Sequence, residues 1–192
     1  MAELLPSLPL ETRCPPLPLR RYNGFWLPEA VLTEVAAIHA CLQPRPSDVF
    51  LASFPKSNTT WLKALAFATA HRARHPPSGA GHPLRRMNPH ECVRFMEMDP
   101  ELRRDASSLV EEFEAMESPS ITGGEGAAPA SRIVYLCRNP KDAFVSGLFF
   151  VKKVSSAYGV GAEARSLSLE EALELFCEGR LFAGPQWKHV LQ

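Results

Sequence analysis

The chain has 192 residues, enough for one ordinary domain with its own core. Lysine plus arginine equals aspartate plus glutamate, 21 each, so no global field draws it to nucleic acid or to an anionic membrane. Any anion site must be local. No apolar run approaches the roughly 20 residues of a membrane span. The start, MAELLPSLPLETRCPP, carries Glu3 and several prolines and reads as neither a signal nor a transit peptide. The cysteines Cys14, Cys41, Cys92, Cys137 and Cys177 are scattered, with no C-x-x-C pair. That argues against a zinc site or a disulfide framework and for a reduced, cytoplasmic protein without a metal.

In chain order, residues 1–20 are proline-rich and read as an extended arm. Residues 28–42 space Val31, Val35, Ile38 and Leu42 as a helix does, with Pro28 suited to its first turn. Asp48 to Phe54 is a short apolar run, predicted to be a buried strand. A helix is predicted from Thr59 to about Arg72, a loop over 73–90, and a short helix from Pro89 to about Met98. Another helix is predicted over Ser107–Met116. Residues 118–131, SPSITGGEGAAPAS, have the composition of a flexible loop. Arg132 to Cys137 is predicted to be a second buried strand, with Cys137 a small buried hydrophobe. A helix from Asn139 to about Lys153 has Asn139 as cap, Pro140 in the first turn and Asp142 at the positive end. The last helix, Leu169–Cys177, is introduced by a Ser168…Glu171 capping box.

Two strand-loop-helix units dominate this pattern. In open parallel sheets ligands bind beyond the carboxyl ends of the strands, where helix N-termini point. The first loop, FPKSNTTWL, puts Lys56, Ser57, Asn58, Thr59 and Thr60 at a helix start. Unpaired N–H groups, hydroxyls and a mobile ammonium there suit a group with several phosphate oxygens, and Trp61 offers a face for a base. On these residues alone a second reading stands: Ser57 or Thr59 caps the helix, Lys56 is solvated and Trp61 belongs to the core. The second loop places Arg138 at a strand end and Ser146 eight residues later, a little over two helical turns. Arg138 could fork onto a phosphate while Ser146 donates a hydrogen bond; alternatively Arg138 pairs with Asp142.

Together the loops resemble those of a known family. FPKSNTTWL resembles the 5′-phosphosulfate loop of soluble sulfotransferases, usually YPKSGTTWL, and RIVYLCRNPKDAFVSGLFF resembles their 3′-phosphate motif. NPHECV and FCEGRLFAGPQWKHVL bring the chain nearest to the plant cytosolic branch, over about Tyr22 to Leu191. The resemblance implies a P-loop-like, three-layer α/β fold with a parallel sheet flanked by helices. It implies binding of 3′-phosphoadenosine 5′-phosphosulfate (PAPS) and transfer of its sulfuryl group to a hydroxyl of a small acceptor such as a flavonoid, steroid or hormone. It implies that Lys56, Ser57, Asn58, Thr59 and Thr60 hold the 5′ end, that Trp61 stacks on adenine, and that Arg138 and Ser146 hold the 3′-phosphate. Lys56 is then the catalytic candidate, stabilising charge on the departing oxygen. Residues 21–192 would form a partial sulfotransferase domain.

The chain departs from that pattern in three places. No stretch resembles SPRLLATHLP, the strand that carries the family's catalytic histidine. Asn58 stands where the family has glycine, and asparagine tolerates left-handed backbone better than most residues. The chain also stops with GPQWKHVLQ, at Gln192, so the expected fold is incomplete at its C-terminus. A sulfotransferase with damaged chemistry is one expectation; a non-catalytic PAPS-binding or partner-binding remnant is the other. A P-loop kinase is disfavoured because no G-x-x-x-x-G-K-[ST] is present. Oligomeric state is not legible.

Overall fold

A computed structural model of the chain describes residues 4–14, 17–96, 121–123, 131–157 and 167–191. The described chain divides into two compact units: Met1–Thr33 with Phe54–Ser57 and Cys137–Gln192, and Glu34–Ser53 with Asn58–Leu136.

In the first unit, β1 (Leu10–Glu11), β2 (Leu19–Tyr22) and β3 (Phe25–Pro28) form an antiparallel sheet in that order. Tyr22 faces Phe25 across a two-residue turn, with Asn23 at φ 48° and Gly24 at φ 91°. Both turn residues need positive φ, which is what an Asn-Gly pair supplies in a tight hairpin. The proline-rich arm is therefore paired to the hairpin through β1. An ion cluster holds it as well: the buried Glu11 carboxylate accepts from Arg13 Nε at 3.0 Å and meets Arg180 Nε at 3.1 Å.

The helices of this unit are α4 (Pro140–Ala157), α5 (Leu169–Cys177) and α6 (Gln186–Leu191). Asn139 Oδ1 accepts from Lys141 N–H at 3.0 Å, the cap its sequence predicts. At α5, Ser168 and Glu171 exchange hydrogen bonds as a capping box. Phe144, Leu167, Ala172 and Leu175 pack together; Cys14, Leu19 and Trp26 form a second cluster with Leu181 and Phe182. Phe54, Ala143 and Ala183 form a third, directly before the first loop.

The second unit contains most of α1 (Glu29–Cys41), then β4 (Val49–Ser53), α2 (Thr59–Ala70) and α3 (Pro89–Cys92), followed by β5 (Ile121–Gly123) and β6 (Arg132–Leu136). Its sheet is parallel with order β5-β4-β6. Phe50 and Leu51 of β4 are buried, and Ile38, Phe50 and Met96 form a cluster with Leu42.

Three expectations need correction here. The stretch over 118–131 is not all loop: it contains a short strand. Ile121–Gly123 pairs with Val49–Leu51 inside the stretch whose Gly, Ala and Ser content reads as a loop. The second strand is not buried. Among the described residues it pairs with β4 alone, at the edge of the sheet, and Ile133 is 56% and Val134 44% exposed. Cys137, just beyond it, is exposed too. The helix begun at Pro89 ends at Cys92, well short of Met98. The helix expected over Ser107–Met116 lies outside the described residues.

Candidate functional site

The first loop leaves β4 and turns sharply. Lys56 has φ 66° and Asn58 φ 68°, both left-handed, so the backbone on either side of Ser57 is forced into a conformation that L-residues avoid. Asparagine at position 58 takes the geometry that glycine would take at no cost. Lysine at 56 has no such local help, and its left-handed φ was not legible in the sequence.

Helix α2 has no side-chain cap: Asn58 occupies the cap position without a side-chain hydrogen bond. Thr59 Oγ1 lies 2.5 Å from Ser53 Oγ instead of capping. Ser57 is 1% exposed, and its hydroxyl has no hydrogen-bond partner among the described residues. The capping alternative therefore does not hold for either residue. Leu62 N–H closes onto the Asn58 carbonyl at 3.0 Å, and the N–H groups of Thr59 to Trp61 precede any α-type acceptor. Trp61 is 70% exposed, so it is not a core residue.

In the first unit the two loops meet. Arg138 Nη1 donates to the Lys56 carbonyl at 3.0 Å, so the guanidinium turns to the first loop rather than to Asp142. Lys56 is not merely solvated. Its Nζ lies 4.3 Å from the centroid of Phe150 on α4, and its Cγ lies 3.9 Å from where a Cβ on Gly147 would stand. The second turn of α4, which carries half-buried Ser146, thus lies along the Lys56 side chain.

Helix α6 supports both loops. The buried Gln186 donates from Nε2 to the Arg138 carbonyl at 3.3 Å. His189 is held at the Ala183 carbonyl, 2.7 Å away, and its ring packs on Phe54 with centroids 5.5 Å apart. Neither Gln186 nor His189 stands out in the sequence. Both act on residues far away along the chain.

In the second unit Thr60 Oγ1 lies 3.0 Å from His90 Nε2. His90 opens α3, whose Asn88…Glu91 capping box fixes its start. The His90 ring stacks on Phe95 with centroids 4.7 Å apart, and the buried Lys63 ammonium lies 3.1 Å from the Phe95 centroid. Burial first, and the Lys63 charge second, hold the imidazole below its ordinary 6.5 and so favour the neutral ring. Among the described residues no group of three or more His, Cys, Asp or Glu is arranged to hold a metal ion.

A sulfotransferase domain model matches residues 46–192. The chain belongs to the sulfotransferase family. Its fold is the P-loop-like α/β sulfotransferase fold, with the parallel sheet β5-β4-β6. Cytosolic sulfotransferase 13 of Arabidopsis thaliana is 40% identical over 191 residues, covering 99% of this chain and 56% of that protein. This sulfotransferase chain therefore spans about half the length of the curated relatives it matches. The crystal structure of a protein named as an Arabidopsis thaliana steroid sulphotransferase superposes with a TM-score of 0.74 at 32% identity, covering 97% of this chain and 63% of that one. A mouse sulfotransferase solved with 3′-phosphoadenosine 5′-phosphate (PAP) shares the fold, with a TM-score of 0.57 at 23% identity over 90% of this chain and 55% of that one.

Proposed function

We propose that this chain binds PAPS through Lys56, Ser57, Asn58, Thr59, Thr60 and Trp61 together with Arg138 and Ser146, in the service of sulfuryl transfer to a hydroxyl of a small acceptor. The observation that carries the reading is the Arg138 hydrogen bond to the Lys56 carbonyl, which ties together the two loops whose sequences match the family. The residues also fit an anion. The Ser57 hydroxyl is buried and unpartnered among the described residues, left-handed Lys56 and Asn58 bracket it, and a helix start without a side-chain cap follows.

PAPS would supply the sulfuryl group. The protein's part is to hold both ends and to stabilise charge. Lys56 is the catalytic candidate, because an ammonium at the departing oxygen lowers the barrier. The reading takes residues 1–20 as an arm and 21–192 as a partial sulfotransferase domain, in the cytoplasm, in line with relatives named as cytosolic. A flavonoid, steroid or hormone-like acceptor fits it, and the structural neighbour named as a steroid sulphotransferase favours a steroid.

One observation favours a second reading, a cofactor binder without turnover. No histidine occurs between His90 and His189, so none stands within or directly after β5 to act as the base. Incubation of the purified chain with labelled PAPS and a panel of hydroxylated acceptors separates the two. Label transfer establishes the enzyme; PAP binding without transfer establishes the binder. Absence of both refutes the proposal.

A further inference from the structure

We propose that His90 is a positioning residue that turns the Thr60 hydroxyl into a dedicated hydrogen-bond donor toward the anion at the start of α2. The inference rests on the reading of residues 54–61 as a PAPS loop and adds a residue outside that loop. The contact is Thr60 Oγ1 to His90 Nε2 at 3.0 Å, which by itself leaves the direction of donation open.

The other ring nitrogen decides it. His90 Nδ1 is buried and has no hydrogen-bond partner among the described residues. A neutral imidazole carries one N–H and one lone pair. Orphaned buried N–H groups are rarer than under-used acceptors. The Lys63 ammonium also disfavours the doubly protonated ring. The proton of the neutral ring therefore sits on Nε2, and Nε2–H donates to Thr60 Oγ1. That occupies an acceptor site of the hydroxyl and leaves the Thr60 proton for another oxygen. With the opposite tautomer Thr60 would spend its proton on His90 and have none for an anion. The ring is fixed for this task by the Asn88 capping box, which holds the His90 N–H at 3.0 Å, and by its stack on Phe95.

Two measurements on the full chain test this. Long-range proton–nitrogen correlation spectra of the wild-type protein should show the Nε2–H tautomer at His90; an Nδ1–H signature overturns the proposal without any ligand. Calorimetry with PAP then compares His90→Phe, His90→Gln and Thr60→Val, with Lys56→Ala as the control for the loop itself. His90→Phe keeps an aromatic ring beside Phe95 and loses the N–H, whereas His90→Gln restores a donor. Loss of one hydrogen bond to a charged group corresponds to about tenfold or more in affinity. The expectation is that His90→Phe and Thr60→Val each weaken PAP by about tenfold, that the double variant is no weaker than Thr60→Val, and that His90→Gln recovers most of the loss. Unchanged affinity in His90→Phe, or multiplied losses in the double variant, overturns the role of His90. Wild-type protein that ignores PAP, or binds it as Lys56→Ala does, overturns the loop reading instead.

Discussion

Arg138 Nη1 stands 3.0 Å from the Lys56 main-chain carbonyl, a hydrogen bond across 82 positions of sequence. It joins the end of one strand-loop-helix unit to the turn of the other, before any ligand is involved. Removal of the guanidinium should therefore cost stability as well as binding. Arg138→Ala is expected to lower unfolding free energy by about 1.5–3 kcal/mol in urea titrations without ligand, the range for a hydrogen bond involving a charged group. Arg138→Lys should recover little, because a lysine lacks the planar fork.

The strained backbone at Lys56 gives a second expectation. A left-handed non-glycine residue costs about 1–2 kcal/mol. Lys56→Gly should relieve that strain and melt above Lys56→Ala by differential scanning calorimetry, while both lose affinity for PAP. The residue would then be kept for its charge at the expense of the fold. At position 58 the order differs: Asn58→Gly should change stability by less than about 0.5 kcal/mol, whereas Asn58→Ala should cost about 1 kcal/mol.

Much of this architecture is legible in the residues, and the illegible parts share a cause. DVFLASF and RIVYLC announce their strands, and Asn139-Pro140 and Ser168…Glu171 announce the starts of α4 and α5, because those signals are local. β5 is not local: Ile121–Gly123 is a strand because Val49–Leu51 lies beside it. An apolar run also looks the same at the centre or the edge of a sheet, so the exposure of Ile133 could not be foreseen. The identities of the loop residues are readable, but their supports are not. Gln186 reaches Arg138 over 48 positions and His90 reaches Thr60 over 30. The Asn23-Gly24 hairpin and the Asn88…Glu91 capping box are exceptions. Both carry local signals, an Asn-Gly turn pair and an Asn…Glu cap pair.

The buried Glu11 makes stability depend on pH. The Arg13 hydrogen bond, opposed by burial and aided by the Arg13 and Arg180 charges, holds its carboxyl below the ordinary 4.5. A depressed acid stabilises the fold fully above its unfolded value and loses that contribution as pH falls through its folded value. The stability gap between wild type and Glu11→Gln should therefore be largest above about pH 5 and shrink toward pH 3, as read by urea midpoints across that range.

The Phe144, Leu167, Ala172 and Leu175 cluster underlies the first unit, and Leu175 is fully buried within it. Leu175→Ala should cost about 2–5 kcal/mol through lost burial and the cavity left behind. The urea midpoint reads this directly. A cost below about 1 kcal/mol would mean that this cluster does not hold the unit together.

The most direct test of the central claim is a calorimetric titration of the folded, purified chain with PAP, run beside Lys56→Ala and Arg138→Ala. The account predicts saturable binding to the wild type and a loss of about tenfold or more in each variant. A wild-type chain that is folded by circular dichroism yet gives no heat of binding, or variants that bind as it does, would contradict it.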